Sequence, residues 1–234
     1  KNIMHPTALY NCQNFFETYF PSTDEISPKT VVEIGAQNVN GGLREKIPNT
    51  FEYLGVDFVK APGVDVVLED PYRLPFDDES HDVVISSSCF EHSEFFWVTF
   101  LECIRILKPD GLFYLNVPSN GEFHRYPVDC WRFYPDSGRA LCKWANNNGI
   151  NATLLESFTT RQVKDIWNDY VCVFLKDEAF VGNHPNRMIH NRNDFKNGLL
   201  WGSDDVINKR ARTEDQKHTS FLFSLIRKFR KLPY

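Results

Sequence analysis

Residues 30–45 read TVVEIGAQNVNGGLRE, and this stretch indicates the class of fold more clearly than any other part of the chain. An apolar run ends at an acid, Glu33, and the glycine-containing loop follows at once. In doubly wound α/β sheets, the loop after a strand borders the crevice in which ligands bind. The stretch therefore predicts a buried strand and leaves three readings of its loop: a phosphate cradle, another kind of nucleotide site, or an ordinary turn.

The glycine spacing excludes two common nucleotide motifs. A P-loop requires G-x-x-x-x-G-K-[ST], but neither glycine of NGGL is followed by Lys and Ser or Thr. The dinucleotide fingerprint G-x-G-x-x-G requires a second glycine that GAQNVNGG lacks. Glu33 would also repel a pyrophosphate at this position. These residues favour a ligand that carries a positive charge and an amino group.

Strand-like and helical patterns alternate on either side of this stretch. The predicted strands cover residues 30–36, 51–59, 64–70, 81–88, 111–118, 153–158 and 170–176, and the predicted helices cover 7–20, 94–108, 135–149 and 219–232. Most of these strands are continuously apolar at their centres, which is typical of a parallel sheet covered on both faces. The pattern predicts a doubly wound α/β domain.

Composition limits the class of protein. The chain has 234 residues, of which 42% are hydrophobic, so it can form a full core, and its net charge of −5 argues against general nucleic-acid binding. No apolar run approaches the roughly 20 residues of a membrane span. The six cysteines form no C-x-x-C pair, which favours reduced thiols in a cytoplasmic protein over zinc ligands or disulfides. Because the chain opens with Lys1, we interpret it as a domain of a longer protein.

We divide the chain after residue 177 into an α/β domain, residues 1–177, and a C-terminal extension, residues 178–234. Within the extension, VGNHPNRMIHNRNDFKNG at 181–198 is interpreted as an irregular loop or substrate lid. The final SFLFSLIRKFRKLPY predicts a basic amphipathic helix. Such a helix can lie on a membrane surface, but we favour docking on the acidic domain or on a partner subunit.

Four successive stretches resemble motifs of class I S-adenosylmethionine-dependent methyltransferases of the methyltransferase-11 group. They are VVEIGA, YLGVDF, LEDPYRLPFDDESHDVVISSSCFEH and RILKPDGLFYLNVPS, between about residues 30 and 119. The resemblance implies a Rossmann-like, seven-stranded sheet, mostly parallel with the last strand antiparallel, and helices on both faces. It also implies S-adenosylmethionine as the cofactor and S-adenosylhomocysteine as the product.

The same resemblance assigns the cofactor contacts to the ends of the first four strands. Glu33 and Gly35 would flank the methionine part, Asp57 would hold the ribose and Asp70 would lie by the adenine. The position of Asp57 at the end of the second predicted strand suits this role, since a carboxylate can accept both ribose hydroxyls. The complete predicted set is Glu33, Gly35, Ala36, Asp57, Phe58, Asp70, Pro71 and Ser87.

The stretch PSNGEFHRYPVDCWRFYPDSG, residues 118–138, follows the strand at which acceptors bind in this family. Its aromatic residues alternate with charged ones, a mixture that suits a polyhydroxylated molecule because rings pack on sugar C–H faces while polar groups bind hydroxyls. The predicted acceptor contacts are Arg125, Tyr126, Trp131 and Arg132. The alternative interpretation is a packed crossover in which Trp131 is structural.

The whole combination, with FEHSEFFWVTFLE and WNDYVCVFLKD, resembles methyltransferases that accompany glycosyltransferases in bacterial polysaccharide systems and in glycan-building proteins of large algal viruses. This resemblance implies O-methylation of a sugar hydroxyl in a glycan and, in a longer chain, fusion to glycosyltransferase domains. Methylation of a small metabolite or lipid remains an alternative, as do a nicotinamide-dependent oxidoreductase and a non-catalytic domain that binds cofactor or glycan beside a glycosyltransferase.

Methyl transfer to a hydroxyl requires a proton acceptor. The candidate bases are His124, His92, Asp129 and Glu91. We predict His124 as the base and His92 as the second choice, with Asp129 orienting the His124 ring or contacting another sugar hydroxyl. A divalent metal is possible, with Asp129 and Glu91 as potential ligands. The sequence contains no compact cluster of ligands that would indicate one.

Overall fold

The computed structural model describes residues 6–21, 28–38, 41–163 and 166–213, and these contain an eight-stranded sheet with helices on both faces. The strands are β1 (Lys29–Ile34), β2 (Phe51–Asp57), β3 (Val66–Val67), β4 (His81–Ser87), β5 (Leu107–Pro118), β6 (Thr153–Thr160), β7 (Asp169–Leu175) and β8 (Phe195–Leu200). The α-helices are α1 (Pro6–Tyr19), α2 (Phe96–Ile106) and α3 (Ser137–Asn147).

The strand order is β3-β2-β1-β4-β5-β7-β6-β8. Strands β3, β2, β1, β4 and β5 are parallel, whereas β7 is antiparallel to both β5 and β6. The order in which the chain adds strands changes direction at the neighbouring parallel strands β1 and β4: β2 and β3 are added on one side of β1, and β4 and β5 on the other. A crevice at the carboxyl ends of β1 and β4 is where ligands bind in such sheets.

Apolar side chains of alternate strand residues form a core on each face. On one face, Phe15 and Phe16 of α1 pack on the sheet, and Phe15 lies 5.0 Å from the ring of Tyr114. On the other face, Phe100 of α2 packs edge-on against Phe174 at 4.9 Å. The predicted arrangement of helices on both faces is confirmed.

Two predicted strand boundaries are wrong. Strand β3 has two residues rather than the predicted 64–70. Before it, the Asp65 side chain accepts a hydrogen bond from the Gly55 N–H, and after it, the Asp70 side chain accepts one from the Tyr72 N–H in a turn. These side-chain bonds replace a regular strand at both ends. Strand β5 begins at Leu107, directly after α2, although 111–118 was predicted. In the described part of the connection from β1 to β2, the helical element is a four-residue 3₁₀ helix, Leu43–Lys46.

The extension after residue 177 is part of the same sheet. Strand β8 pairs antiparallel with β6, so the sheet has eight strands where seven were predicted. The segment 181–198, predicted as an irregular loop or substrate lid, contributes the buried residues Met188, Ile189 and Phe195 and ends within β8, so its last part is a strand rather than a loop. It also includes the second half of the 3₁₀ helix Glu178–Asn183 and all of the 3₁₀ helix Met188–Asn191. Its role as a lid stays a prediction. The predicted helix at 219–232 lies outside the described residues.

A buried carboxylate fixes this extension to the core. Glu156 on β6 is fully buried and accepts three hydrogen bonds, from Tyr19 Oη at 2.7 Å, Met188 N at 2.7 Å and Ile189 N at 3.1 Å. One side chain therefore joins α1, the sheet and the segment that precedes β8. Among the helices described, none combines the length and apolar content that crossing a bilayer requires.

Candidate active site

The loop after β1 is built around Gly35. This residue has a φ of +83°, and a Cβ placed on it would lie 2.6 Å from both Cβ and Sγ of Cys89. Only glycine tolerates both the conformation and this close approach. The Gly35 and Ala36 N–H groups both donate to the Val56 carbonyl, at 2.9 and 3.1 Å. The loop is thus held between β2 and the end of β4. The turn requires glycine at position 35, one of the predicted cofactor residues.

Glu33 supports the loop from the α1 face. The side chain is 3% exposed, and its Oε2 accepts a hydrogen bond from Tyr53 Oη at 2.6 Å. Burial raises the pKa of this carboxyl to about 7, against the lowering effects of the Tyr53 hydroxyl, the Leu43 N–H and the charge of Arg44. These contacts join β1 to β2 and to the following 3₁₀ helix. The predicted contact of Glu33 with a cofactor stays a prediction.

Asp57 ends β2 at the same edge of the sheet and is 8% exposed. Its Oδ2 accepts the Gln37 N–H at 3.2 Å and its Oδ1 accepts the Val59 N–H at 3.1 Å. Each carboxylate oxygen has a second lone pair, so the oriented side chain retains acceptor capacity for two ribose hydroxyls. The next residue, Phe58, is half-exposed and lies beside it in the chain.

The remaining predicted cofactor residues lie at different depths. Asp70 and Pro71 are exposed, and Asp70 Oδ1 accepts the Tyr72 N–H at 2.8 Å, which fixes the turn at the rim. Ser87 is buried at the end of β4, where its Oγ accepts a hydrogen bond from Asn116 Nδ2 at 3.2 Å. The glycine cradle and the oriented Asp57 fit S-adenosylmethionine at the carboxyl ends of β1, β2 and β4.

An ion pair organises the loop after β5. Arg132 donates to both carboxylate oxygens of Asp129, at 2.6 and 2.9 Å, and the His124 N–H donates to Asp129 Oδ2 at 2.7 Å. The Arg132 guanidinium holds the pKa of Asp129 down at about 2. Asp129 is therefore ionised near neutral pH and a poor proton acceptor, which argues against it as the base. Its oxygen lies 3.5 Å from His124 Nδ1, so it can orient that ring.

The structure brings the two predicted histidines together. The rings of His92 and His124 are 4.8 Å apart and nearly perpendicular, although the residues come from the loops after β4 and β5. His92 Nδ1 lies 2.5 Å from the Val128 carbonyl oxygen, so this nitrogen is the donor and Nε2 is the acceptor. Burial lowers the pKa of His92 below its usual value. The ring is therefore neutral near pH 7 and able to accept a proton.

Glu91, a minor candidate in the sequence, proves to be the most deeply buried acid of this loop. It is 1% exposed, and its Oε2 has no hydrogen-bond partner among the described residues. Burial raises the pKa of its carboxyl to about 8. Its other oxygen lies 3.7 Å from His92 Nε2. No local sequence pattern predicts that Glu91 is buried with an unpaired oxygen. Part of its surroundings, such as Cys130 and Trp131, comes from the loop after β5.

Trp131 has the packed environment of the structural interpretation and is also partly exposed. Its ring is 37% exposed, yet its Nε1 donates to the Ser93 carbonyl at 3.0 Å, and it packs edge-on against Phe96 and Trp97 at 5.4 and 5.8 Å. One part of the side chain is therefore structural, and contact of its exposed part with an acceptor stays a prediction. Tyr126 is 60% exposed, and its ring centroid lies 6.1 Å from that of His92.

Sequence reasoning did not assign Trp167 to the site. Its ring lies 5.0 Å from that of His124, and a Cβ on Gly121 would lie 2.0 Å from the Trp167 ring, so glycine lets this ring approach the loop after β5. The other predicted acceptor residue, Arg125, is exposed and donates through Nε to the Pro127 carbonyl at 3.1 Å. One sequence feature could have assigned Trp167 to the site: it begins the stretch WNDYVCVFLKD and stands just before β7.

Comparison with known proteins connects this site to methyl transfer. Residues 44–115 match a family model described as a methyltransferase domain. The chain is 32% identical over 181 residues to the phthiotriol/phenolphthiotriol dimycocerosates methyltransferase of Mycobacterium tuberculosis strain H37Rv, an alignment that covers 65% of this chain and 63% of the relative. It is 33% identical over 97 residues to malonyl-[acyl-carrier protein] O-methyltransferase 1 of Coxiella burnetii, covering 37% and 33% respectively. The chain thus spans less than two thirds of the length of these relatives.

A solved structure shares the fold. It is the 1,6-didemethyltoxoflavin-N1-methyltransferase of Burkholderia thailandensis, with bound 1,6-didemethyltoxoflavin and S-adenosylhomocysteine. The TM-score is 0.54 at 14% identity, and the likeness covers 73% of this chain and 79% of that one. At this identity the comparison concerns the fold. The chain is related in sequence to methyltransferases, its residues 44–115 match the methyltransferase domain, and it has the fold of class I S-adenosylmethionine-dependent methyltransferases.

Proposed function

We propose that this chain is an S-adenosylmethionine-dependent O-methyltransferase whose acceptor is a sugar hydroxyl of a glycan. The observation that carries the proposal is the meeting of His92 and His124, 4.8 Å apart, beside the rings of Tyr126 and Trp167. Both histidines follow strands at the carboxyl edge that also holds Asp57. A proton acceptor therefore lies on the side of the sheet where the fold holds its cofactor.

In the proposed mechanism, bound S-adenosylmethionine supplies an activated methyl group, so the protein needs no further electrophile. Asp57 orients the ribose, and the loop at Gly35 shapes the cofactor's side of the crevice. His124 accepts the hydroxyl proton as the oxygen–carbon bond forms, and the Asp129–Arg132 pair holds the His124 backbone in place. His92 is the alternative acceptor, because its Nε2 lone pair is available and its Nδ1 is fixed by the Val128 carbonyl.

The acceptor class follows from the side chains around these rings. Tyr126, Trp131 and Trp167 offer ring faces or edges, and the exposed Arg125 offers N–H donors, whereas the terminal nitrogens of Arg132 are already bonded to Asp129, Glu122 and Trp131. Flat aromatic surface next to charged donors matches a molecule with apolar C–H faces and many hydroxyls. A partner glycan, presented by glycosyltransferase domains fused to this one in a longer chain, is the proposed source of that hydroxyl.

A lipid or small metabolite is the second candidate acceptor. Its support is the naming of the relatives, one for phthiotriol dimycocerosates and one for a malonyl-acyl carrier protein. A non-catalytic domain that binds cofactor or glycan is a third possibility, and turnover of any acceptor would exclude it.

The experiment that tests the proposal is release of S-adenosylhomocysteine from S-adenosylmethionine with a panel of unmethylated oligosaccharides, long-chain lipid alcohols and small hydroxylated metabolites. The proposal predicts release with the oligosaccharides, and a Trp131→Ala variant that raises the acceptor KM more than the cofactor KM. The exposed Trp201→Ala variant is the matched control. Turnover confined to lipids or metabolites would contradict the sugar assignment, and a broad loss of thermal stability in Trp131→Ala would place that ring in the core.

A further inference from the structure

The structure assigns a second binding capacity to the same loops: we infer that Glu91, His92 and His124 form a site for one divalent transition-metal ion. Each residue offers one ligand atom, and the three atoms lie within 4.8 Å of one another. A tetrahedral zinc ion with bonds of about 2.0–2.1 Å places its ligand atoms about 3.4 Å apart. Small rotations of the side chains would bring the ligand atoms from up to 4.8 Å to this shorter separation. His124 is 30% exposed and can move for this purpose. The inference concerns ion binding by the chain and does not depend on the acceptor.

The strongest support is the state of the Glu91 carboxylate. It is 1% exposed, and its Oε2 has no hydrogen-bond partner in the part of the chain that the structure describes. An unpaired buried oxygen of this kind is costly. A cation coordinated by both oxygens of the Glu91 carboxylate would remove that cost.

The second support is the orientation of the two imidazoles. The Val128 carbonyl accepts a hydrogen bond from His92 Nδ1, which leaves Nε2 as the coordinating atom, 3.7 Å from Glu91 Oε1. Metal-binding histidines usually have such a partner on the other ring nitrogen. His124 Nδ1 lies 3.1 Å from the Glu122 carbonyl oxygen, which leaves its Nε2 available in the same way.

Charge also favours a cation here. The charges that act on Glu91 include the carboxylates of Asp129 and Asp169 and the guanidinium of Arg132. Arg132 is already paired with Asp129 through two hydrogen bonds. The remaining local charge is negative, so the approach of a doubly charged ion is favourable rather than repelled.

The ligand set selects the class of ion. Two imidazoles and one carboxylate suit zinc, manganese, iron, cobalt or nickel, whereas magnesium and calcium prefer sites made of oxygen ligands. Three protein ligands leave at least one position open. An ion there would take the lone pair with which His124 or His92 accepts a proton, so one molecule cannot use that imidazole in both ways.

The test is a calorimetric titration of the chelator-treated protein with Zn²⁺ in the absence of cofactor and acceptor. We expect one ion per chain, and a loss of at least about tenfold in affinity in Glu91→Gln and in His124→Ala, since each removes a direct ligand. His190→Ala and Cys130→Ser, an exposed imidazole and an exposed thiol outside the cluster, are matched controls that should retain the wild-type affinity.

Two further readouts keep the test decisive. Bound Co²⁺ should give an absorption spectrum without a thiolate charge-transfer band, and circular dichroism should show that each variant is folded. If Glu91→Gln does not fold, the more exposed His124→Ala decides. The inference is overturned if the wild type binds no stoichiometric ion, if a folded His124→Ala binds with unchanged affinity, or if Cys130→Ser loses the ion. Because no turnover is measured, this result is independent of the proposed methyl transfer.

Discussion

At the scale of single residues, Asp57 is the predicted cofactor contact with the clearest geometry. Two backbone N–H groups already orient its carboxylate, so little freedom is lost when it binds a ribose. Asp57→Ala should lower the affinity for S-adenosylhomocysteine by tenfold or more, because each charged hydrogen bond contributes roughly 1.5–3 kcal/mol. Calorimetry measures this change. Glu52→Ala, an exposed acid on the same strand, is the control, and unchanged affinity in a folded Asp57→Ala protein would refute the assignment.

His124 is the predicted proton acceptor. His124→Ala should lose on the order of 10²–10⁴ in kcat and keep its cofactor affinity, which is the contribution expected of a general base. The acidic limb of the pH–rate profile should flatten as well, because that limb reports protonation of the base. Steady-state kinetics from pH 5 to 9 checks both, with the exposed His190→Ala as control. Near-full turnover in His124→Ala, with an inactive His92→Ala, would move the role to His92.

The sequence was sufficient to predict which residues stand at the strand ends, but not how deeply side chains are buried or which distant side chains they contact. The order of motifs was sufficient to place Asp57 and Gly35, because strand ends can be recognised from local patterns. The burial of Glu91 and the contact of Trp167 with His124 depend on loops that are far apart in the chain. Asp129 looks like a free acid in the sequence, and only its pairing with Arg132 removes it as a base.

At the scale of elements, Glu33 links β1 to β2 and makes stability depend on pH. Burial raises its pKa to about 7 in the folded protein, from a usual value near 4.5. The folded state therefore holds a proton that the unfolded state loses between these values, so the free energy of unfolding should fall as pH rises from about 4.5 to about 7. We expect a decrease on the order of 1–3 kcal/mol.

Glu33→Gln removes this titration. Urea unfolding of the cofactor-free protein at several pH values should show that the variant has a flatter dependence than the wild type over that window. The Glu52→Ala variant again controls for the loss of an exposed acid on the neighbouring strand. An identical pH dependence in wild type and Glu33→Gln would mean that this carboxyl does not titrate in that range.

Glu156 connects three elements and should be important for stability. Glu156→Ala would leave the Met188 and Ile189 N–H groups and the Tyr19 hydroxyl without their acceptor. A buried donor left unsatisfied costs about 1–3 kcal/mol, so we expect a loss of at least that amount in the free energy of unfolding. Chemical denaturation measures it, with the exposed Glu17→Ala as control. A loss below about 0.5 kcal/mol would mean that the extension is held by its apolar contacts alone.

Strand β8 is the element that the sequence concealed. Its residues, FKNGLL, include a lysine, an asparagine and a glycine, and Asn197 has a positive φ of 52°. These residues are depleted in strands, so the local pattern favoured a loop. The strand forms because β6 offers an unpaired edge, and pairing of this kind cannot be read from a local pattern.

At the scale of the whole molecule, the alternating patterns predicted the architecture because each buried strand has a long local apolar signature. The parallel strands and the antiparallel β7 form as the resemblance implied, and the switch point between β1 and β4 lies where the predicted cofactor residues converge. The division after residue 177 depended on a change in composition. The hydrogen bonds of Glu156 and the pairing of β8 with β6 cross that boundary, so composition alone was a poor guide to it.

The central claim is that the carboxyl edge of β1, β2 and β4 is a site for S-adenosylmethionine. The most direct test is calorimetric titration of the wild-type chain, first with S-adenosylhomocysteine and then, in a separate cell, with NAD. We expect the chain to bind one molecule of S-adenosylhomocysteine and not to bind NAD. Saturable binding of NAD without binding of S-adenosylhomocysteine would contradict it and would favour a nicotinamide-dependent enzyme.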